Sequence, residues 1–106
     1  MTVSLKVDAM ARRIVERFRP RQVILFGSHA RGEAQPDSDV DLLVVMPFTG
    51  SRRAAQIEIR LALRDFRGAK DVVVVTPEEL ERYRNVVGTV VEPALREGKV
   101  LYAEAS

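Results

Sequence analysis

Gly27-Ser28-His29-Ala30-Arg31-Gly32-Glu33-Ala34-Gln35-Pro36-Asp37-Ser38-Asp39-Val40-Asp41 is the stretch from which the fold can be read. Val23-Ile24-Leu25-Phe26 leads into it, and Leu42-Leu43-Val44-Val45-Met46 leads out. The lead-in reads as a buried strand, because four apolar residues with two β-branched side chains end at a glycine. Gly27 lets the chain turn sharply and approach a ligand with no Cβ in the way. Ser28 then opens a short helix, 28–31. Its first N–H groups and dipole favour an anion, and the Ser28 hydroxyl can add a hydrogen bond to phosphate.

The far end of the stretch carries the opposite charge. Asp39 and Asp41 stand two apart at the start of a strand, so both point to one face and Val40 to the other. Their Cα atoms are predicted to lie roughly 6.5–7 Å apart, at ~3.3 Å of rise per residue. That spacing lets two carboxylates converge on hard cations, and two-cation sites clamp the attacking and leaving oxygens of a phosphoryl displacement.

Gly27-Ser28, ten intervening residues and Asp39-Val40-Asp41 resemble the motif of nucleotidyltransferases of the DNA polymerase beta superfamily. By average residue usage, these four identities arise by chance at roughly 10⁻⁵ per start position. The small size is similar to that of the minimal (MNT-type) members. The resemblance implies an α/β (α+β) fold with a mixed three- to four-stranded sheet flanked by helices. It implies Mg²⁺ in a two-ion site, with Mn²⁺ as the other metal, ATP as substrate, and Gly27 and Ser28 as nucleotide-binding residues. It also implies transfer of AMP to a hydroxyl, with a tyrosine of a helical HEPN-domain toxin as acceptor and an antitoxin role for this chain. Other readings stay open: a binding module that neutralises its partner by contact, or nucleotide transfer to a small molecule or RNA.

Superfamily members often carry a third acidic residue on a neighbouring strand. Asp71 is the candidate because it opens Asp71-Val72-Val73-Val74-Val75-Thr76, the strongest strand in the chain. It is expected beside Asp39 and Asp41 as metal ligand or general base. Lys70 next to it is a departure from apolar flanks and a competing ion-pair partner. Glu58 is the poorer alternative, on a helix among arginines. Arg31 suits either a phosphate or the acidic loop, and His29 reads as exposed rather than catalytic.

The remaining chain alternates helices and strands. Val7, Met10, Ala11, Ile14, Val15 and Phe18 mark one face of a helix that Pro20 ends. Ser51 is expected to cap a helix reaching about Phe66, with Gly68 as its terminal glycine. Thr76 and Pro77 begin another, running to Tyr83. Thr89-x-x-Glu92 reads as a capping box for a last helix, against which Pro93 argues. Lys99–Ala103 is expected as an edge strand. Pro36-Asp37 reads as a turn, and Ser38 as a residue bonding its local backbone.

Composition narrows the classes. The 106 residues suit a single domain spanning 1–106, and an acceptor site must then come from a partner or a second copy, so a homo- or hetero-oligomer is expected. No cysteine excludes disulfides and thiolate metal sites, and the single histidine excludes histidine triads. No apolar run suits a membrane span and no secretion signal is evident, which points to the cytoplasm. A net charge of +2 does not indicate nucleic acid. The arginines at 12, 13, 17, 19 and 21 lack interleaved aromatic residues and read as a solvated face.

Overall fold

The computed structural model describes residues 5–35 and 39–104. The elements are α1 (Leu5–Phe18), β1 (Gln22–Phe26), α2 (Ser28–Arg31), β2 (Val40–Val45), α3 (Arg52–Ala62), β3 (Lys70–Val75), α4 (Pro77–Tyr83), α5 (Val91–Glu97) and β4 (Lys99–Ala103). The strands form one sheet in the order β3-β2-β1-β4. β1 runs antiparallel to both β2 and β4, and β2 runs parallel to β3. The expected mixed sheet flanked by helices is therefore observed, with four strands.

Alternation along the strands divides the core in two. Val23, Leu25, Val40, Leu42, Val44, Val72 and Val74 face α1 and α3. Ile24, Leu43, Val45 and Val75 face α4 and α5, with Phe26 and Val73 packed against them. Since β2 is covered on both faces, Leu42–Val45 is almost wholly inaccessible, as its unbroken apolar run requires. α5 lies close on β1. A Cβ at Gly98 would stand 2.8 Å from the Leu25 carbonyl oxygen and 2.1 Å from that of Ala94, so no side chain fits there.

Several boundaries differ from the sequence reading, each for a local reason. Met46 donates to Val75 O at 2.9 Å, but Pro47 has no N–H with which to continue the ladder. α3 stops at Ala62 instead of Phe66. The Ala62 carbonyl, which Phe66 N–H would need in a continued helix, accepts from the Arg13 guanidinium at 2.8 Å; Phe66 N turns to Leu63 O. Gly68 thus follows an irregular turn, not a helix end.

The capping box forms at Thr76, whose hydroxyl accepts from Glu79 N at 3.1 Å while Glu79 accepts from Thr76 N at 2.9 Å. At Thr89 only half of the box is present, its hydroxyl accepting from Glu92 N at 3.5 Å, and Val90 is the N-cap of α5. With Thr89 as N-cap, Pro93 would be the residue that must donate the first helical hydrogen bond, and it has no N–H. Shifting the start by one residue gives that role to Ala94, whose N–H reaches Val90 O at 3.2 Å. Among the described residues no helix is long and apolar enough to cross a membrane.

Candidate active site

The site forms where β1 ends and β2 and β3 begin. Phe26 pairs with Asp41 across the antiparallel ladder, and Asp41 pairs with Asp71 across the parallel one. Residues paired across a ladder point to the same face, at strand spacings of about 4.8 Å. Asp41 and Asp71 therefore lie on the α4/α5 side of the sheet, at its open end. Asp39 sits one residue before β2, two from Asp41, and is exposed. The sequence reading placed it at the start of the strand; it stands just outside.

Gly27 connects β1 to α2 at φ 75 and ψ −155, a combination essentially reserved for glycine. A Cβ there would fall 2.2 Å from Asp41 Oδ2. The glycine thus does two things: it turns the chain and leaves room for the carboxylate. The short helix follows as expected, with Ala30 N and Arg31 N donating to Gly27 O at 3.1 and 3.2 Å. Gly27 is the N-cap and has no side chain to offer a cap bond, and Ser28 is the first helical residue.

The electrostatics centre on Asp41. Burial pushes its carboxyl above the ordinary aspartate range, and the neighbouring charges of Asp71 and then Asp39 push it further; His29 and Arg31 pull the other way. Asp41 thus bears the charge of two neighbouring carboxylates. Among the described residues none of the three enters an ion pair. A cation between them would relieve the repulsion and keep Asp41 charged, so the donor set fits a hard, oxygen-seeking ion. The fit is one of charge and register: among the described residues no three His, Asp or Glu side chains stand closely enough to form a ready metal cluster.

Lys70 does not neutralise Asp71. It pairs with Val40 on the opposite face, where its ammonium donates to the carbonyl oxygens of Phe66 and Gly68. Glu58 is also far from the carboxylates, on α3 across the sheet. Arg31 contacts acids: its Nε lies 2.8 Å from Glu33 Oε1 and its Nη1 3.5 Å from Glu97 Oε1 at the end of α5. It braces the turn after α2 against α5. His29 is half-buried rather than exposed, and its charge acts on Asp41. The contact with Glu33 accords with the reading that Arg31 braces the acidic loop; the contact with Glu97, 66 residues away, and the place of His29 could not be read from spacing. Pro36, Asp37 and Ser38, with the turn expected there, lie outside the described residues.

Residues 7–101 match the nucleotidyltransferase domain family. The chain belongs to this family. The expectation of a minimal nucleotidyltransferase is met at that level. A 38-residue segment is 53% identical to the protein adenylyltransferase MntA of Thermococcus cleftensis; it covers 36% of this chain and 38% of that protein. The match thus spans well under half the length of this relative. A solved toxin–antitoxin structure with AMP-PNP superposes with a TM-score of 0.63 at 19% identity, over 95% of this chain and 75% of that one. The toxin–antitoxin MntA–HepT gives a TM-score of 0.63 at 18% identity, over 94% and 72%. At these identities the structural likeness is one of fold.

Proposed function

We propose that this nucleotidyltransferase-family chain moves AMP from ATP to a hydroxyl, and that the acceptor is a tyrosine of a HEPN-type toxin partner. The observation that carries the reading is the in-register pair Asp41–Asp71 beside Gly27, with Asp39 two residues away. Binding by contact alone gives no reason to crowd like charges or to reserve a glycine for a carboxylate. The names of the similar proteins, an adenylyltransferase and toxin–antitoxins, support the nucleotide and the class of partner.

Asp39, Asp41 and Asp71 would hold the divalent cations, Mg²⁺ or Mn²⁺. When bound, such ions offset the charge of the triphosphate and of the entering and leaving oxygens. The chain's own part follows from position. The turn at Gly27–Ser28 offers backbone N–H groups and one hydroxyl to phosphate oxygens. The acceptor oxygen bonds to the α-phosphorus, the bond from that phosphorus to the bridging oxygen breaks, and pyrophosphate leaves. Asp71 takes the hydroxyl proton. It suits this role because it is exposed and lies on β3, an edge strand that an acceptor from another chain can reach.

The test is to combine the protein with ATP, Mg²⁺ and a helical HEPN-domain protein from the same genome, then weigh that protein by mass spectrometry. An added AMP mass that Asp71→Asn removes, while nucleotide binding persists, supports both transfer and the base. Loss of nucleotide binding as well reassigns Asp71 to metal ligation alone. A stable complex with no added mass under any metal condition favours neutralisation by contact. Modification of a small molecule or RNA keeps the chemistry and removes the partner.

A further inference from the structure

The chain's charge is unevenly distributed. Residues 5–19 and 52–67 hold ten basic and four acidic side chains, whereas the rest of the chain holds seven basic and eleven acidic. These two segments contain α1 and α3, which cover the sheet face opposite the carboxylates. A net charge of only +2 thus conceals a basic excess in the segments that carry α1 and α3.

Between α1 and α3 runs an open groove of about 530 Å³. Phe18, Leu61 and Ala62 supply apolar surface to it. Leu61 is 54% exposed, and Ile57, one turn earlier on the same helix face, is 37% exposed. Around this apolar strip stand guanidinium groups. Arg13 is committed to Asp65, at 2.6 Å, and that carboxylate is thereby neutralised. Among the described residues, Arg17 and Arg64 enter no ion pair. Glu58 is the remaining acid of the groove, so its cations stay in excess.

We propose that the α1–α3 groove is a docking surface for an acidic amphipathic helix of a partner protein. The occupant places apolar side chains on Leu61 and Phe18, and carboxylates against Arg17 and Arg64. Apolar anchors ringed by charges of one sign match a helix with an apolar stripe flanked by glutamates or aspartates. A nucleic acid backbone would use the arginines but leave Ile57 and Leu61 without apolar cover. The site is independent of the transfer reaction, which lies across the sheet.

The probe is a fluorescein-labelled helical peptide of about 14 residues, with leucines at i, i+3, i+4 and i+7 and glutamates elsewhere. Its glutamine counterpart, a glutamate peptide with scrambled leucines, and a duplex DNA of about 20 base pairs are the comparisons. In fluorescence anisotropy the acidic amphipathic peptide is expected to bind about tenfold more tightly than the glutamine and scrambled peptides, and to weaken with salt. The double variant Arg17→Glu, Arg64→Glu should remove this preference, and Leu61→Ala should reduce affinity with the circular dichroism spectrum unchanged. Equal binding of scrambled and amphipathic peptides overturns the proposal. So does tighter binding of DNA, or self-association of the protein alone that the same double variant abolishes, which would make a second copy the occupant.

Discussion

Asp41 and Asp65 sit on opposite sides of one sheet and show two uses of a carboxylate. Asp65 is exposed and bidentate with Arg13, whose Nη1 and Nη2 lie 2.6 and 3.1 Å from its oxygens. That hydrogen-bonded guanidinium holds Asp65 below the ordinary aspartate range. Asp41 is half-buried and is pushed above that range by burial and by Asp71 and Asp39. One side of the sheet spends arginine on structure. On the other side Arg31 is turned to Glu33 and Glu97, and Asp41 forms no ion pair among the described residues. The difference is between a carboxylate lowered by a partner and one raised by burial and like charge.

The largest expected effect tests that difference directly. Asp41→Asn should reduce AMP transfer more than about 100-fold, since cation-borne stabilisation of the transition state is worth several kcal/mol. It should also raise the melting temperature. The native pKa of Asp41 is raised, so between the ordinary aspartate value and the native one the folded chain holds more protons than the unfolded chain. Stability therefore falls as pH rises through that window, and the charge is unfavourable above it. Asparagine removes this cost near neutrality and changes nothing in strong acid, where both states are protonated. Thermal melts across pH decide the matter: a variant destabilised near neutrality and unchanged in strong acid would make Asp41 a structural charge like Asp65.

A smaller effect concerns the room made for Asp41. Gly27→Ala forces a non-glycine backbone geometry, at about 1–3 kcal/mol, and sets a Cβ 2.2 Å from Asp41 Oδ2. Gly50 has a similar φ of 77 with nothing within 4 Å of its would-be Cβ. Gly50→Ala thus measures the cost of a positive φ without the clash. Chemical denaturation should show the greater loss at Gly27, and transfer should fall only there. Equal losses with transfer retained would mean that Asp41 moves aside freely.

The parts legible in the sequence were those fixed by neighbours along the chain. Four apolar residues before Gly27 mark β1, Pro77 after Thr76 marks α4, and Asp39-Val40-Asp41 puts two acids on one side. What escaped depended on partners distant in sequence. Arg13 reads as a solvated helix position, yet it takes the Ala62 carbonyl, pairs with Asp65 and lies 4.8 Å from the centre of the Phe66 ring. That contact sits where α3 ends, and no periodicity in α3 records it. The register that sets Asp71 against Asp41 is likewise a property of the assembled ladder. Asp71 could be proposed from its place at the head of a valine run, but its pairing, and the turning away of Lys70, required the fold.

The smallest effect examines the structural side of the comparison. The native pKa of Asp65 is lowered, so its pairing stabilises the fold above the ordinary aspartate range and is lost as pH falls through the native value. Asp65→Asn should therefore lower the melting temperature slightly near neutrality and leave it unchanged in strong acid. Arg13→Lys differs in kind. An ammonium keeps the positive charge but cannot hold both carboxylate oxygens and the Ala62 carbonyl in one plane while lying over Phe66. Its cost should exceed that of Asp65→Asn near neutrality and should persist in acid, because the carbonyl and ring contacts do not titrate. Melting curves of both variants at the two extremes give the answer. If the Arg13→Lys loss vanishes in acid, the guanidinium serves Asp65 alone and the end of α3 at Ala62 needs another cause.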